Sequence, residues 1–403
     1  MILLFATLAL ADDEPAVEAS ETITGDAERP ELGEVEERAS EVDLVEAEGE
    51  WNARVVYGAR ALSLEEDFVG QVQRGCELIF ERQYGTAKKH WKQMGKDWPD
   101  RGIEHAGHVL VYQALMMENF DFAWEKSYKK SNDAAMAELE LAIDEPGREG
   151  WDHFLAAAML GVEAIHLMRK EDYLPAIWRG LEAVEHVDVV RQVAPDFKDV
   201  LLGDGLYKYW RSVVTMSYKA LPDFGDERAD GIADMVQAEK EAVFLGPGAT
   251  LALAFTWIEE RKMDKALSST LKNHRAYPDN VVNNLVLSRV YLFQKRYKDS
   301  KKILDEVVAD APENERVHYY LATVNQKLKD YSAAEEEIDL YLSFDLLPYY
   351  EAQAYHRKGE LYFRRKDYAT AEAWFKKAVK TDGYKPAKRR LEKLKKMRKD
   401  GEY

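Results

Sequence analysis

The sequence predicts an all-α protein: an α-solenoid of antiparallel helix pairs wound into a superhelix, behind a disordered acidic N-terminal segment. Three observations lead there. Gly (23) and Pro (12) are scarce among 403 residues, which argues against a turn-rich β sandwich and against a low-complexity chain. Landmarks recur at a spacing of 34: Ala266, Ser300 and Ala334, and again Pro278 and Pro312. The one cysteine, Cys76, excludes an internal disulfide framework, a four-cysteine zinc site and a CxxC redox motif.

Charge marks the first boundary. The chain carries a net charge of -18, which argues against a general nucleic-acid binder. Residues 12–50 hold sixteen Asp and Glu against Arg29 and Arg38, with no aromatic residue. Such a stretch cannot bury enough apolar surface to offset its ordering entropy, so a disordered acidic tether is expected. Before it, residues 1–11 read as an apolar run ending Ala9-Leu10-Ala11, the form of a signal-peptidase site. The run is too short to span a bilayer. Export to a periplasm or cell envelope is the expectation, with a cytoplasmic location as the alternative, and no integral membrane segment is expected in the mature chain.

The helical region 51–246 opens with one clear repeat at 68–101, in which Gly75, Leu78, Tyr84, Ala87, Trp91, Met94 and Pro99 keep the offsets of the later units. Ser63-Leu-Glu-Glu66 before it has the form of a capping box. Helices are expected at 103–117, 128–143, about 197–212 and 231–244, with a degenerate pair from near 157 carried by Tyr173, Ala176 and Ala183. The stretch 213–230 reads as a long connection. Four units then follow at 247–280, 281–314, 315–348 and 352–385. Ala254, Ser288, Ala322 and Gly359 let the first helix of each pair approach the second, Tyr297, Tyr331 and Tyr368 plug the space between units, and Pro278 and Pro312 stop the second helix. Residues 386–403 form a basic capping helix and tail: Lys385 to Lys399 carries nine Lys and Arg against Glu392.

These residues resemble the tetratricopeptide repeat, and the layout of leader, acidic linker and solenoid resembles bacterial cell-envelope repeat proteins. The resemblance implies a stack of pairs that bury their apolar faces only against neighbours. It also implies a concave groove, lined by the first helix of each pair, that binds a peptide or amphipathic helix. The corresponding residues here are Leu251, Phe255, Leu285, Arg289, Phe293, Tyr319, Thr323, His356, Arg357 and Phe363. They lack the Lys and Asn clamp of chaperone-binding members. Leu251 and Phe255 read equally well as core.

Catalytic motifs are wanting. No P-loop, GxSxG, HExxH or GxGxxG occurs. Asp223-Phe224-Gly225 stands without the other kinase motifs, and Arg228 and Gln237 spoil the calcium-loop pattern that begins at Asp226. His105 and His108 make two ligands at most, too few for zinc, so no metal or cofactor is expected. Cys76 is expected buried and inert. The function expected is a non-catalytic scaffold for protein partners. One alternative is an enzyme whose acid–base groups, Glu163, Glu182, Glu185, His166 and His186, lie in residues 102–246. The other is peripheral membrane association through the basic C-terminal helix.

Overall fold

The structure, a computed structural model, describes residues 51–143, 147–217 and 225–403. The expected leader and acidic tether lie outside these residues, as do Asp223 and Phe224. Among the described residues there are eighteen α-helices and no strand. They are α1 (Ala53–Leu62), α2 (Glu66–Phe80), α3 (Tyr84–Asp97), α4 (Ile103–Glu118), α5 (Glu125–Ala142), α6 (Glu149–Arg169), α7 (Tyr173–Val193), α8 (Val200–Ser217) and α9 (Arg228–Glu241). There follow α10 (Gly246–Glu259), α11 (Met263–Ala276), α12 (Val281–Phe293), α13 (Tyr297–Asp310), α14 (Glu315–Lys327), α15 (Tyr331–Tyr341), α16 (Pro348–Arg364), α17 (Tyr368–Asp382) and α18 (Lys385–Lys399). The fold is an α-solenoid in which adjacent helices pack as pairs. The described residues fall into two compact units, one of residues 51–117 and 122–286, the other of Glu118–Asp121 with Leu287–Tyr403.

One backbone turn recurs throughout. Arg82, Glu171, Arg261, Lys295, Lys329 and Lys366 all adopt positive φ, between 57° and 67°. Each follows the first helix of a pair, and the next amide donates back to a carbonyl of that helix: Gln83 to Leu78, Asp172 to Leu167, Lys262 to Trp257, Arg296 to Tyr291, Asp330 to Asn325 and Asp367 to Tyr362. This is the Schellman closure, which satisfies orphan carbonyls at a helix end and normally favours glycine. Here charged residues occupy the left-handed position. The other end of the pair stops at proline. Trp98, Ala194, Tyr277 and Ala311 leave the helical region, with φ from -131° to -140° and ψ from 63° to 71°, because each precedes a proline whose ring disfavours the helical conformation.

Those two punctuation marks expose a regular pair in the faded middle. Helices α6 and α7 are flanked by the turn at Glu171 and by Pro195, as a repeat should be. Each runs to 21 residues, where α3, α11 and α13 have 14. An added seven residues is about two helical turns and keeps the same face inward, but it displaces every landmark from its offset.

The expected helices at 103–117, 128–143, 197–212 and 231–244 fall close to α4, α5, α8 and α9. The expected connection at 213–230 needs correction. Helix α8 continues to Ser217 because Val213 and Val214 are fully buried, and α9 starts at Arg228. The Arg228 side chain donates to Asp226 (2.9 Å) and Glu260 (3.1 Å). Asp226, first residue of the calcium-like pattern, is thus engaged by an arginine. Where α8 crosses α9, a Cβ on Gly205 would lie 2.6 Å from the Gly231 carbonyl oxygen, and one on Gly231 2.5 Å from that of Gly205. Only glycine admits so close an approach.

The first unit centres on an aromatic cluster. Phe68 meets Trp151 edge-on with centroids 4.9 Å apart, and Phe154 meets Phe197 at 4.9 Å. Beneath it the buried Asp199 carboxylate accepts the backbone amides of Val243, Phe244 and Leu245 at 2.6, 2.8 and 2.9 Å. Burial pushes this carboxyl up to about 6, against the three amides that favour its charge. It fixes the approach of the chain to α10.

Candidate functional site

Most of the ten residues expected to line a groove are buried. In the first unit Leu251, Phe255 and Leu285 are enclosed. In the second, Arg289, Tyr319, Thr323 and Arg357 are enclosed and Phe293, His356 and Phe363 are half-buried. Thr323 turns its hydroxyl onto the Tyr319 carbonyl at 3.0 Å. His356 lies between the rings of Phe375 (5.4 Å) and Tyr384 (5.3 Å), and Phe363 packs on Tyr368 with Arg390 and Lys393 over its ring. Burial, with Arg357 and Arg390 nearby, holds the His356 imidazole well below its usual pKa. The edges of Phe293, His356 and Phe363 are what a ligand can touch among these ten.

Behind them lies a layer of arginines that the sequence reading only partly saw. Arg316, absent from the expected groove, is fully buried in an aromatic cage: Phe120, Tyr319, Tyr320, Tyr341 and Tyr350 surround its guanidinium at 4.6 to 5.9 Å. It donates to the Tyr341 hydroxyl (2.9 Å) and the Gln353 side chain (3.1 Å). Ring faces supply the negative potential that a carboxylate would otherwise give. Arg357 donates to Gln326 (3.3 Å) and to the hydroxyl of Tyr319 (3.4 Å), the same ring that flanks Arg316. Arg289 stands 5.1 Å from the Phe293 centroid. Three successive first helices therefore each carry a buried arginine against aromatic rings.

The alternative acid–base groups do not converge. His166 bonds Glu125 at 3.0 Å, and burial lowers its pKa. His186 meets His153 at 2.9 Å, and burial and that neighbour lower its pKa. Glu163 and Glu182 share Arg179, at 3.2 and 2.6 Å. His105 pairs with Glu138 (2.8 Å) and His108 with the Lys88 carbonyl (3.2 Å). No group of three metal-ligating side chains occurs among the described residues, and no described helix is long and apolar enough to cross a membrane.

Comparison with known proteins adds the family. Residues 285–351 and 352–384 match tetratricopeptide repeat profiles. Residues 285–384 are tetratricopeptide repeats. No curated protein sequence matches the chain. Among solved structures it is similar to a human IFIT1 dimer with m7Gppp-AAAA, at 14% identity over 86% of this chain and 87% of that one, with a TM-score of 0.50. It is also similar to a tetratricopeptide repeat protein from Parabacteroides merdae (11% identity, 82% and 99% of the two chains, TM-score 0.33) and to the P58(IPK) TPR domain (14%, 83% and 99%, 0.24). These identities speak to the fold alone. Repeats of this family are interaction modules of a typically non-catalytic fold, so the protein carries a protein-interaction scaffold.

The repeats end in a cap. Ala387 and Leu394 of α18 are buried, and two of its arginines are neutralised from within the array, Arg390 by Glu360 and Arg398 by Glu372. The basic helix thus serves first as a lid on the terminal repeat.

The first unit holds a feature of another kind, an apolar cavity of about 150 Å³. Its wall runs along α6 from Trp151 to Met168, along α7 from Ala176 to Val187, and along α8 from Val200 to Val214. None of the five acid–base candidates lines it. Cys76 does, and burial pushes its thiol up to about 12, so it is an inert wall residue. Trp91, fully buried in the same wall, has no hydrogen-bond partner for its indole N–H.

Proposed function

We propose that this protein is a non-catalytic scaffold whose repeat array binds a peptide or amphipathic helix of a protein partner, and that it acts in the cell envelope after export. The observation that carries the binding reading is the arginine layer of Arg289, Arg316 and Arg357 beneath the half-buried edges of Phe293, His356 and Phe363. A ligand suited to that face presents apolar side chains flanked by carboxylates: the rings give contact area, and the field behind them orients acidic groups. The location rests on the apolar run of residues 1–11 and its Ala9-Leu10-Ala11 ending.

The test is a crosslinking pull-down from native cells, the wild type beside a Phe293→Ala, Phe363→Ala double variant whose thermal unfolding is measured in parallel. Loss of a discrete partner from a variant that still unfolds cooperatively supports the reading. A partner retained by the variant, or no partner captured by the wild type, contradicts it. Fractionation of the same cells decides the location, since a protein confined to the cytoplasm refutes export.

A further inference from the structure

We propose that the exposed face of α18 is a docking surface for the protein's own acidic stretch, residues 12–50. Helix α18 closes the repeat array with one side, where Ala387 and Leu394 are buried and Arg390 and Arg398 pair with Glu360 and Glu372. Its other side is a row of lysines. Lys385, Lys388, Lys395, Lys396 and Lys399 are all exposed, and at the helical step they fall within an arc of about 100° turned away from Ala387 and Leu394. Glu392 is the one acidic residue in that arc. Among the described residues none of the five lysines forms an ion pair. Lys385 and Lys388, Lys395 and Lys399, and Lys396 and Lys399 stand three or four positions apart, where like charges repel. An anionic chain laid along this row would relieve that repulsion.

Charge and attachment select the occupant. Residues 351–403 carry 17 Lys and Arg against eight Asp and Glu, whereas residues 12–50 carry sixteen Asp and Glu against two Arg. The last part of that stretch, 31–50, holds nine acidic residues and Arg38 alone to oppose them. No other segment of the chain is so one-sided. Its covalent attachment gives it an advantage over any outside polyanion, since a tethered partner meets its surface at an effective concentration up to the order of 1 mM. Reach is no obstacle, because residues 12–50 span up to about 130 Å at roughly 3.3 Å per residue. The contact joins solvent-exposed charges, so salt weakens it. An anionic partner that binds α18 must first displace the chain's own segment.

The test treats the full chain with a carbodiimide, which condenses a carboxylate with a lysine amine to an amide and itself takes up the water released. Mass spectrometry then identifies the joined peptides. At about 20 mM salt, joins from residues 12–50 to the five α18 lysines should exceed those to Lys92, Lys96 and Lys130, exposed lysines of the first unit, at least about fivefold. At about 500 mM salt the excess should vanish. A mixture of isotope-labelled and unlabelled protein should give joins within one isotope only. Joins scattered over the lysines without preference, an excess that survives salt, or joins of mixed isotope, which make the occupant a second copy, would overturn the assignment. A second measurement needs no crosslink: a fluorescent poly-glutamate peptide is titrated into the wild type and into a variant whose nine acidic residues in 31–50 are changed to Gln or Asn. The variant should bind the peptide about tenfold more tightly, its surface being uncovered. Equal affinity in the two proteins, or binding by neither, would contradict the proposal.

Discussion

Helices α13 to α17 have 11 to 17 residues and lie close through small contacts: Ser300 donates to the Ser288 carbonyl at 2.8 Å, and Ala322 and Gly359 are fully enclosed. The pair α6–α7 reaches 21 residues in each helix, and an apolar cavity lies beside it. Both regions use the same Schellman turn and the same pre-proline stop. They differ in what fills the interior. Both bury an arginine against aromatic rings, Arg316 among tyrosines in the repeat array and Arg169 over Phe122 at the end of α6, but the longer pair borders an apolar cavity. A shared local grammar thus fixes where helices begin and end, and the side chains at the small-residue positions decide whether the interior closes.

The contrast can be broken first at the glycine crossing of the first unit. Gly205→Val would drive a branched side chain onto the Gly231 carbonyl, which is backbone and cannot turn aside. A loss of about 4 kcal/mol or more in denaturant unfolding is expected. In the repeat array, Gly359→Ala meets the ring of Phe375 instead. A ring can shift, so a smaller loss of about 2 kcal/mol is expected from the same measurement.

Between these two in size lies the aromatic cage. Arg316→Ala should cost about 3 kcal/mol, because a large buried side chain is lost and the Tyr341 hydroxyl and Gln353 lose their donor. Urea unfolding checks this. An unchanged midpoint would mean that the arginine contributes field and not packing.

Acid should have a smaller effect. Burial, with Arg357 and Arg390 nearby, holds the native pKa of His356 well below the usual 6.5 of a free imidazole. The unfolded chain therefore binds more protons between those two values, and stability falls as pH drops through 6.5 toward the native value. The melting temperature should be lower at about pH 5 than at about pH 7, and His356→Gln should narrow that gap. An unaltered gap would place the acid sensitivity elsewhere, at His166 or His186, whose pKa values are also lowered.

The smallest effect is a gain. Lys329→Gly removes the penalty of a left-handed non-glycine residue at a Schellman turn and should stabilise the array by about 0.5–1 kcal/mol. Glu171→Gly tests the same turn in the first unit. Equal gains would confirm that one closure serves both regions.

The repeat array was legible because Ala266, Ser300 and Ala334 keep one spacing and Pro278 and Pro312 keep the same one. The pair α6–α7 was read only as a degenerate unit from near 157, through Tyr173, Ala176 and Ala183, because its two added turns displace the other landmarks, and α6 in fact begins at Glu149. The turns themselves could not be read from glycine, since Arg82, Lys295 and their counterparts carry charged side chains. Of the candidate site, Arg289 and Arg357 were found through their offsets. Arg316 was missed because arginine normally reads as a surface residue, and the clue was the density of tyrosines around it in sequence: Tyr319, Tyr320, Tyr341 and Tyr350. The cavity left no mark in the sequence, because alanine and glycine that line a space and alanine and glycine that close a contact are the same letters.

Crystals of the protein under xenon pressure test most directly the claim that the interior opens where the repeats lengthen. Xenon enters apolar cavities of this size and avoids filled cores. The account predicts an anomalous peak beside Ala158, Ala164 and Val184 and none within residues 287–403. A bare first unit, or a peak of equal strength inside the repeat array, would contradict it.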